Sequence, residues 1–222
     1  QAIQSNLLSP AVLFFLLGVI ATLSKSDLKF PEPLYMGLTI YPLTAIGFKG
    51  GVAIASAGIA TVWLPALMAV ALGTFIPLWS YPILRFIGRL SPVDSAAIAA
   101  HYGSVSAVTF IAATNFLQSM NQTYEEYATA FLAVMESPAI IVGIVLGKLA
   151  IQKPGESFLP TLKVALHEAC LGRSVVLLVG AMIIGFLSGK RGYDATSGFF
   201  VSPFQGVLAL FLLEMGMVAA RR

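Results

Sequence analysis

The sequence predicts an all-α integral membrane protein, a polytopic helical bundle. Three observations carry that prediction: the 222 residues are 58% hydrophobic and only 10% charged, the mean hydropathy is +0.88, and apolar runs of membrane-crossing length alternate with short polar loops. An ordinary soluble domain carries about 25% charged residues, so this chain has too few to cover a water-facing surface. At about 20 apolar residues per crossing, its length holds roughly seven spans.

The spans are expected at residues 7–24, 31–48, 60–84, 95–117, 127–147, 174–189 and 199–220. The first apolar run lacks a basic leader and a small-x-small cleavage site, and so reads as a span and not a signal peptide. The second begins at Phe30-Pro31-Glu32-Pro33, the third is uninterrupted by charge, and the fourth is unusually rich in small and polar residues. The fifth carries Glu136 within an apolar context. A polar break from Lys148 to Ser157 follows, then an amphipathic stretch with Leu159, Leu162, Leu166 and Ala169 on one face and Lys163, His167 and Cys170 on another. Such a stretch suits a helix lying in the interfacial plane. The predicted organisation is therefore a first five-span unit at 1–152, a linker with its amphipathic helix at 153–173, and the opening two spans of a second unit at 174–222.

The formal charge of +3 arises from thirteen Lys and Arg residues scattered through loops. That spacing orients a membrane protein and offers no basic face to nucleic acid. Ten basic residues follow the odd-numbered spans (Lys25, Lys29, Arg85, Arg89, Lys148, Lys153, Lys163, Arg173, Arg221 and Arg222), against Lys49, Lys190 and Arg191 on the other side. By the positive-inside rule the N-terminus lies outside and the linker in the cytoplasm. The single Cys170 rules out an internal disulfide and reads as a small apolar residue. The chain begins at Gln1 and ends at Arg222 directly after an apolar run, which leads to the expectation of further chain at both ends.

Two spans share a pattern. Phe30 precedes Pro33 as Phe200 precedes Pro203, and Gly37 precedes Gly47 as Gly206 precedes Gly216. If five spans form a unit, the odd number makes the second copy enter from the opposite face, giving an inverted repeat of the kind found in secondary transporters. Three further spans are then expected beyond Arg222.

Chemistry concentrates in two places. In the fourth span, His101, Tyr102, Gly103, Ser104, Ser106 and Thr109 fall in a stretch with little bulk where a helix can open, because Gly103 lowers helix propensity and the Ser hydroxyls and freed amides can replace water around an ion. A half-helix N-terminus there favours an anion. The plainer reading is a small-residue face for close helix packing. In the fifth span, the Glu136 carboxylate costs several kcal/mol unless paired, protonated or bound to a cation, and the following Ser137-Pro138 frees a backbone carbonyl nearby, a combination suited to sodium. The alternative is a protonated structural donor. Glu214 has the same two readings near the end of the seventh span, His101 is either a proton relay or a packing element, and His167-Glu168 lacks the second His of a zinc helix because position 171 is Leu. Transition metals, cofactors and ATP-driven or catalytic motifs are not expected; Na+ is expected as coupling ion.

With these residues in view, the chain resembles the cyanobacterial sodium-dependent bicarbonate transporters and their wider bacterial permease family. The residues that carry the resemblance are Pro92-Val93-Asp94, the GSVSAVT run at 103–109, Met135-Glu136-Ser137-Pro138-Ala139 and the run from Gly206 to Met217. The resemblance implies ten spans in a five-plus-five inverted repeat, core and gate domains, a homotrimer in the bacterial cytoplasmic membrane, and symport of bicarbonate with sodium. It implies bicarbonate at Gly103, Ser104, Val105 and Ser106, and sodium near Glu136, Ser137, Thr109 and Ser106. Glu136 stands where the cyanobacterial members carry Asp, which keeps the charge on a longer arm. A PII-like cytoplasmic regulator is also implied, although the polar linker is shorter here. The rival readings are the same fold carrying another small anion, and a non-transporting membrane scaffold.

Overall fold

The computed structural model describes residues 8–106, 109, 110, 113, 114, 116, 117, 120–151 and 159–221, and is all-helical over them. Eight helices appear in order: α1 Pro10–Leu23, α2 Glu32–Ala57, α3 Ile59–Pro82, α4 Pro92–Gly103, α5 Ala130–Ile151, α6 Leu159–Leu171, α7 Arg173–Phe200 and α8 Phe204–Ala220. A π-helical turn, Ile83–Ile87, extends α3, and a 3-10 turn, Glu126–Thr129, leads into α5. Residues 109, 110, 113, 114, 116 and 117 are helical after a break that ends α4.

Local sequence explains where these helices begin. Ser9 caps α1, its hydroxyl accepting from the Val12 N–H at 3.5 Å, with Pro10 in the first turn, where its missing N–H costs nothing. Ser91 caps α4 in the same way: its Oγ accepts from the Asp94 N–H at 3.1 Å and donates to Asp94 Oδ2 at 2.6 Å. Four segments are long and apolar enough to cross a bilayer, namely Glu32–Ala57, Ile59–Ile87, Glu126–Ile151 and Arg173–Phe200. Helices α1 and α8 are apolar but shorter, and the fourth predicted span is interrupted. Helix α2 runs past its predicted end at 48, and Gly50 and Gly51 beyond that point are close packing contacts within it.

The surface matches a lipid environment. On α3 the large side chains Phe75, Trp79, Phe86 and Ile87 are each more than 60% exposed, an apolar expanse that soluble monomers do not carry. Trp63 and Trp79 stand near opposite ends of that helix, about 24 Å apart at 1.5 Å per residue, the placement of interfacial aromatic belts. Leu159 and Leu166 on α6 are also exposed, while Leu162 of the same predicted face is half-buried. Most of the polar break before it, 152–158, lies outside the described residues.

Two groups of helices form. In one, α2 packs along α7 and α1 along α8, with α8 also touching α2; in the other, α3, α4 and α5 pack mutually, with α6 against α5. The first group depends on close backbone approach. A methyl added to Gly47 would overlap the Leu178 carbonyl oxygen, and one on Gly185 the Phe48 carbonyl oxygen. In the other pair, a methyl on Gly216 would overlap the Phe15 carbonyl oxygen, and Thr22 Oγ1 donates to the Met217 carbonyl at 3.4 Å. The pairs correspond: Gly47 and Phe48 are adjacent as Gly216 and Met217 are, and Leu178 is separated from Gly185 by the interval that separates Phe15 from Thr22.

The chain passes between the groups at Gly172, between α6 and α7, and at Gly58, which ends α2 and begins α3. The Gly58 φ of 83° and ψ of 141° belong to a region open essentially only to glycine. No atom stands within 4 Å of an added methyl there, so a substitution tests backbone strain without steric conflict. Gly58→Ala is expected to destabilise the protein by about 1–3 kcal/mol, read as a lower thermal unfolding midpoint in detergent.

Candidate functional site

Helix α4 stops at Gly103 because Ser104 turns to extended backbone, φ −88° and ψ 159°. The Ser104 N–H still closes the last turn on the Ala100 carbonyl at 3.2 Å. Helical bonding resumes when the Phe110 N–H donates to the Ser106 carbonyl at 2.9 Å, and Ser106 Oγ accepts from the Thr109 N–H at 3.4 Å. Ser106 is thus the N-cap of the second half-helix, and Ser104, Val105 and Ser106 are the break. Within the described residues the N–H groups of Val105 and Ser106 and the hydroxyl of Ser104 make no hydrogen bond. The carbonyl end of one half-helix and the amide end of another therefore meet here, giving partial charges of both signs in one place. Ala107 and Val108 lie outside the described residues.

Glycine and proline hold the break in position. A methyl on Gly103 would lie 2.7 Å from Pro77 Cδ and 2.9 Å from the Gly73 carbonyl oxygen, both on α3. One on Gly73 would lie 2.9 Å from the Met135 carbonyl oxygen on α5 and 3.6 Å from that of Gly103. Three backbones thus converge at Gly73, Gly103 and Met135. Val105 packs against Ile46, Leu132, Ala133 and Leu178, a buried apolar cluster that joins the two helix groups.

Glu136 follows Met135 at this convergence and is half-buried, as is Ser137. Its carboxylate has no hydrogen bond or ion pair among the described residues. Pro138 lies inside α5 and so leaves the Val134 carbonyl without its usual i+4 amide. The predicted residues divide accordingly. Gly103 is buried, Ser104 and Val105 are half-buried, and Ser106 and Thr109 are exposed along the break, while Glu136 and Ser137 approach it through the neighbouring Met135 backbone.

The packing reading of the fourth span is realised as well, one turn away. Ala96 and Ala100 of α4 meet Gly147 and Gly143 of α5, so the first half-helix packs through small residues while its end opens. His101 is exposed, with Nδ1 2.8 Å from the Ala97 carbonyl in a bond local to its own helix. Glu214 is buried between α1 and α8, and its Oε2 has no partner among the described residues. Sequence reasoning passed over Gly73 and Pro77; the signal available was a small residue and a proline one turn apart inside an apolar span.

Gly103→Ala is expected to force α3 and α4 apart and lower stability by about 1–3 kcal/mol. Gly37→Ala, at a position with nothing within 4 Å, is expected to stay within about 0.5 kcal/mol. Thermal unfolding of both variants in the same detergent checks the contrast.

Comparison with known families now bears on this geometry. No curated protein matches the chain. The model of the Na+-dependent bicarbonate transporter superfamily, a family of transporters and not of enzymes, matches residues 10–222. The match takes in the broken fourth span, the Glu136 segment and both packed helix pairs. The chain belongs to the Na+-dependent bicarbonate transporter superfamily.

Proposed function

We propose that this protein is a sodium-coupled symporter that imports bicarbonate across a cytoplasmic membrane by alternating access. The observation that carries the reading is the interrupted fourth span, where the Val105 and Ser106 amides and the Ser104 hydroxyl have no hydrogen bond among the described residues, beside the helix that bears the half-buried Glu136. Irregular backbone at membrane depth is tolerated where it is buried in protein or lines a polar cavity, and in transporters such breaks bind the cargo. Bicarbonate accepts hydrogen bonds from the break, near the N-terminus of the second half-helix. Sodium takes oxygen ligands from the Glu136 region, with Ser137, Thr109 and Ser106 as hydroxyl candidates and the Val134 carbonyl as a further donor.

The corresponding contacts of α2 with α7 and α8 with α1 support an inverted repeat, in which α1 and α2 match α7 and α8. On this reading residues 1–152 are the first unit, 153–173 the cytoplasmic linker, and 174–222 the start of the second unit. The excess of basic residues after the odd-numbered spans supports an external N-terminus. One sodium moving with one bicarbonate carries no net charge, so the membrane potential cancels and the sodium gradient drives uptake, about 1.4 kcal/mol for each tenfold ratio.

Labelled bicarbonate uptake by the full-length protein in liposomes tests this reading. Inward sodium is expected to stimulate uptake, and Glu136→Gln to lower the sodium-dependent rate at least about tenfold. Uptake that ignores sodium, or no uptake at all, contradicts the proposal.

A further inference from the structure

A second polar cavity lies toward the other end of α2 from the Lys29 loop. It has a volume of about 480 Å³ and opens between α2, α7 and the Glu126–Thr129 turn. Lys49, Lys190, Tyr124, Tyr193, Thr129 and Glu126 line it. Among the described residues no ion pair joins Glu126 to either lysine, so two cationic groups face the cavity against a single anionic one.

The fold places each lysine there by a specific device. Lys49 is the one exposed residue in the run Ala45–Ala53, whose other members are buried among them Phe48 and Gly51 against α7 and Gly50 against Ala130. A lysine in such a run is costly unless its ammonium reaches a polar space. Lys190 follows Gly189, whose φ of 54° and ψ of −151° interrupt α7 and redirect residues 190–200. These two lysines are also two of the three basic residues on that side of the predicted topology.

The route inward is short. Along α5, Leu132 and Ala133 lie about one turn, or roughly 6 Å, beyond Thr129, and along α2, Ile46 lies one turn before Lys49. With Leu178 these residues form the buried cluster against which Val105 of the break packs. One apolar layer therefore separates the cavity from the broken helix.

We infer that this cavity is the external capture site for the transported oxyanion, parted from the broken helix by the layer of Ile46, Leu132, Ala133 and Leu178. The inference rests on the transport reading above. A small oxyanion accepts charge-assisted hydrogen bonds from both ammonium groups and further bonds from the Tyr and Thr hydroxyls. Lysine, a mobile and strongly hydrated point charge, suits a temporary stop, where fast release inward matters more than tight holding. Positive charge at a recessed mouth also raises the rate of anion arrival.

Two measurements on the full-length protein test it. In liposomes, the paired variant Lys49→Gln, Lys190→Gln is expected to raise the half-saturating bicarbonate concentration about tenfold with the maximal rate within about twofold, while the paired Arg variant stays near the unaltered protein. In detergent, sodium bicarbonate is expected to slow acetylation of Lys49 and Lys190 by an amine-reactive reagent, relative to sodium chloride at equal ionic strength, and to leave Lys25 and Lys29 unaffected. An unchanged half-saturation in the Gln pair, or equal acetylation in the two salts, overturns the inference. If the unaltered protein takes up no bicarbonate, the transport reading fails by itself, and the acetylation pattern, read without transport, still decides whether the cavity binds the anion.

Discussion

The close contact of three backbones at Gly73, Gly103 and Met135 is the constraint on which the rest of the structure depends. A helix can open at membrane depth only where protein or a polar cavity shields the exposed peptide groups from lipid. Here α3 supplies a glycine carbonyl and a proline ring against Gly103, and α5 supplies the carbonyl before Glu136. Side chains at those positions would hold the helices apart and let hydrocarbon reach the break. The small residues around it are therefore a condition of the site as well as of the packing.

The second organising feature is the division into two helix groups. One group holds the break and Glu136; the other is locked by glycine-mediated contacts of α2 with α7 and α1 with α8. They are joined in the chain through Gly58 and Gly172 and in space through the cluster of Ile46, Leu132, Ala133 and Leu178. Rigid pairs meeting across a narrow apolar layer are suited to rocking against each other, since the layer can be parted without unfolding either group. Val105 of the break packs against that layer, and Lys49 and Thr129 of the second cavity lie about one helical turn along the chain from its Ile46 and Leu132.

Much of this was legible in the sequence, for reasons that can be named. Charge is so scarce that a membrane fold was the only consistent reading, and Gly103-Ser104-Val105-Ser106 combined poor helix formers with hydroxyls, which is why the opening of the fourth span was foreseeable. Glu136 stood out because an intramembrane carboxylate is costly. Other features were hidden because glycine is ambiguous. Gly50 and Gly51 mark contacts within a continuing helix, Gly58 a sharp junction with positive φ, and Gly189 a non-helical kink inside α7 that falls at the predicted end of the sixth span. Nothing in one sequence separates those uses: Gly50 and Gly51 are fixed by the backbone that another element places beside them, whereas Gly58 and Gly189 have nothing within 4 Å and are fixed by a positive φ. Gly73 was passed over for the same reason.

The most direct test of the account is an experimental density map of the full-length protein in sodium bicarbonate, at a resolution that shows a four-atom anion. The account predicts density for the anion within hydrogen-bonding distance of the Val105 and Ser106 amides, with residues 104–106 out of helical geometry. A continuous helix through residues 103–109, or an anion bound only away from those amides, would contradict it.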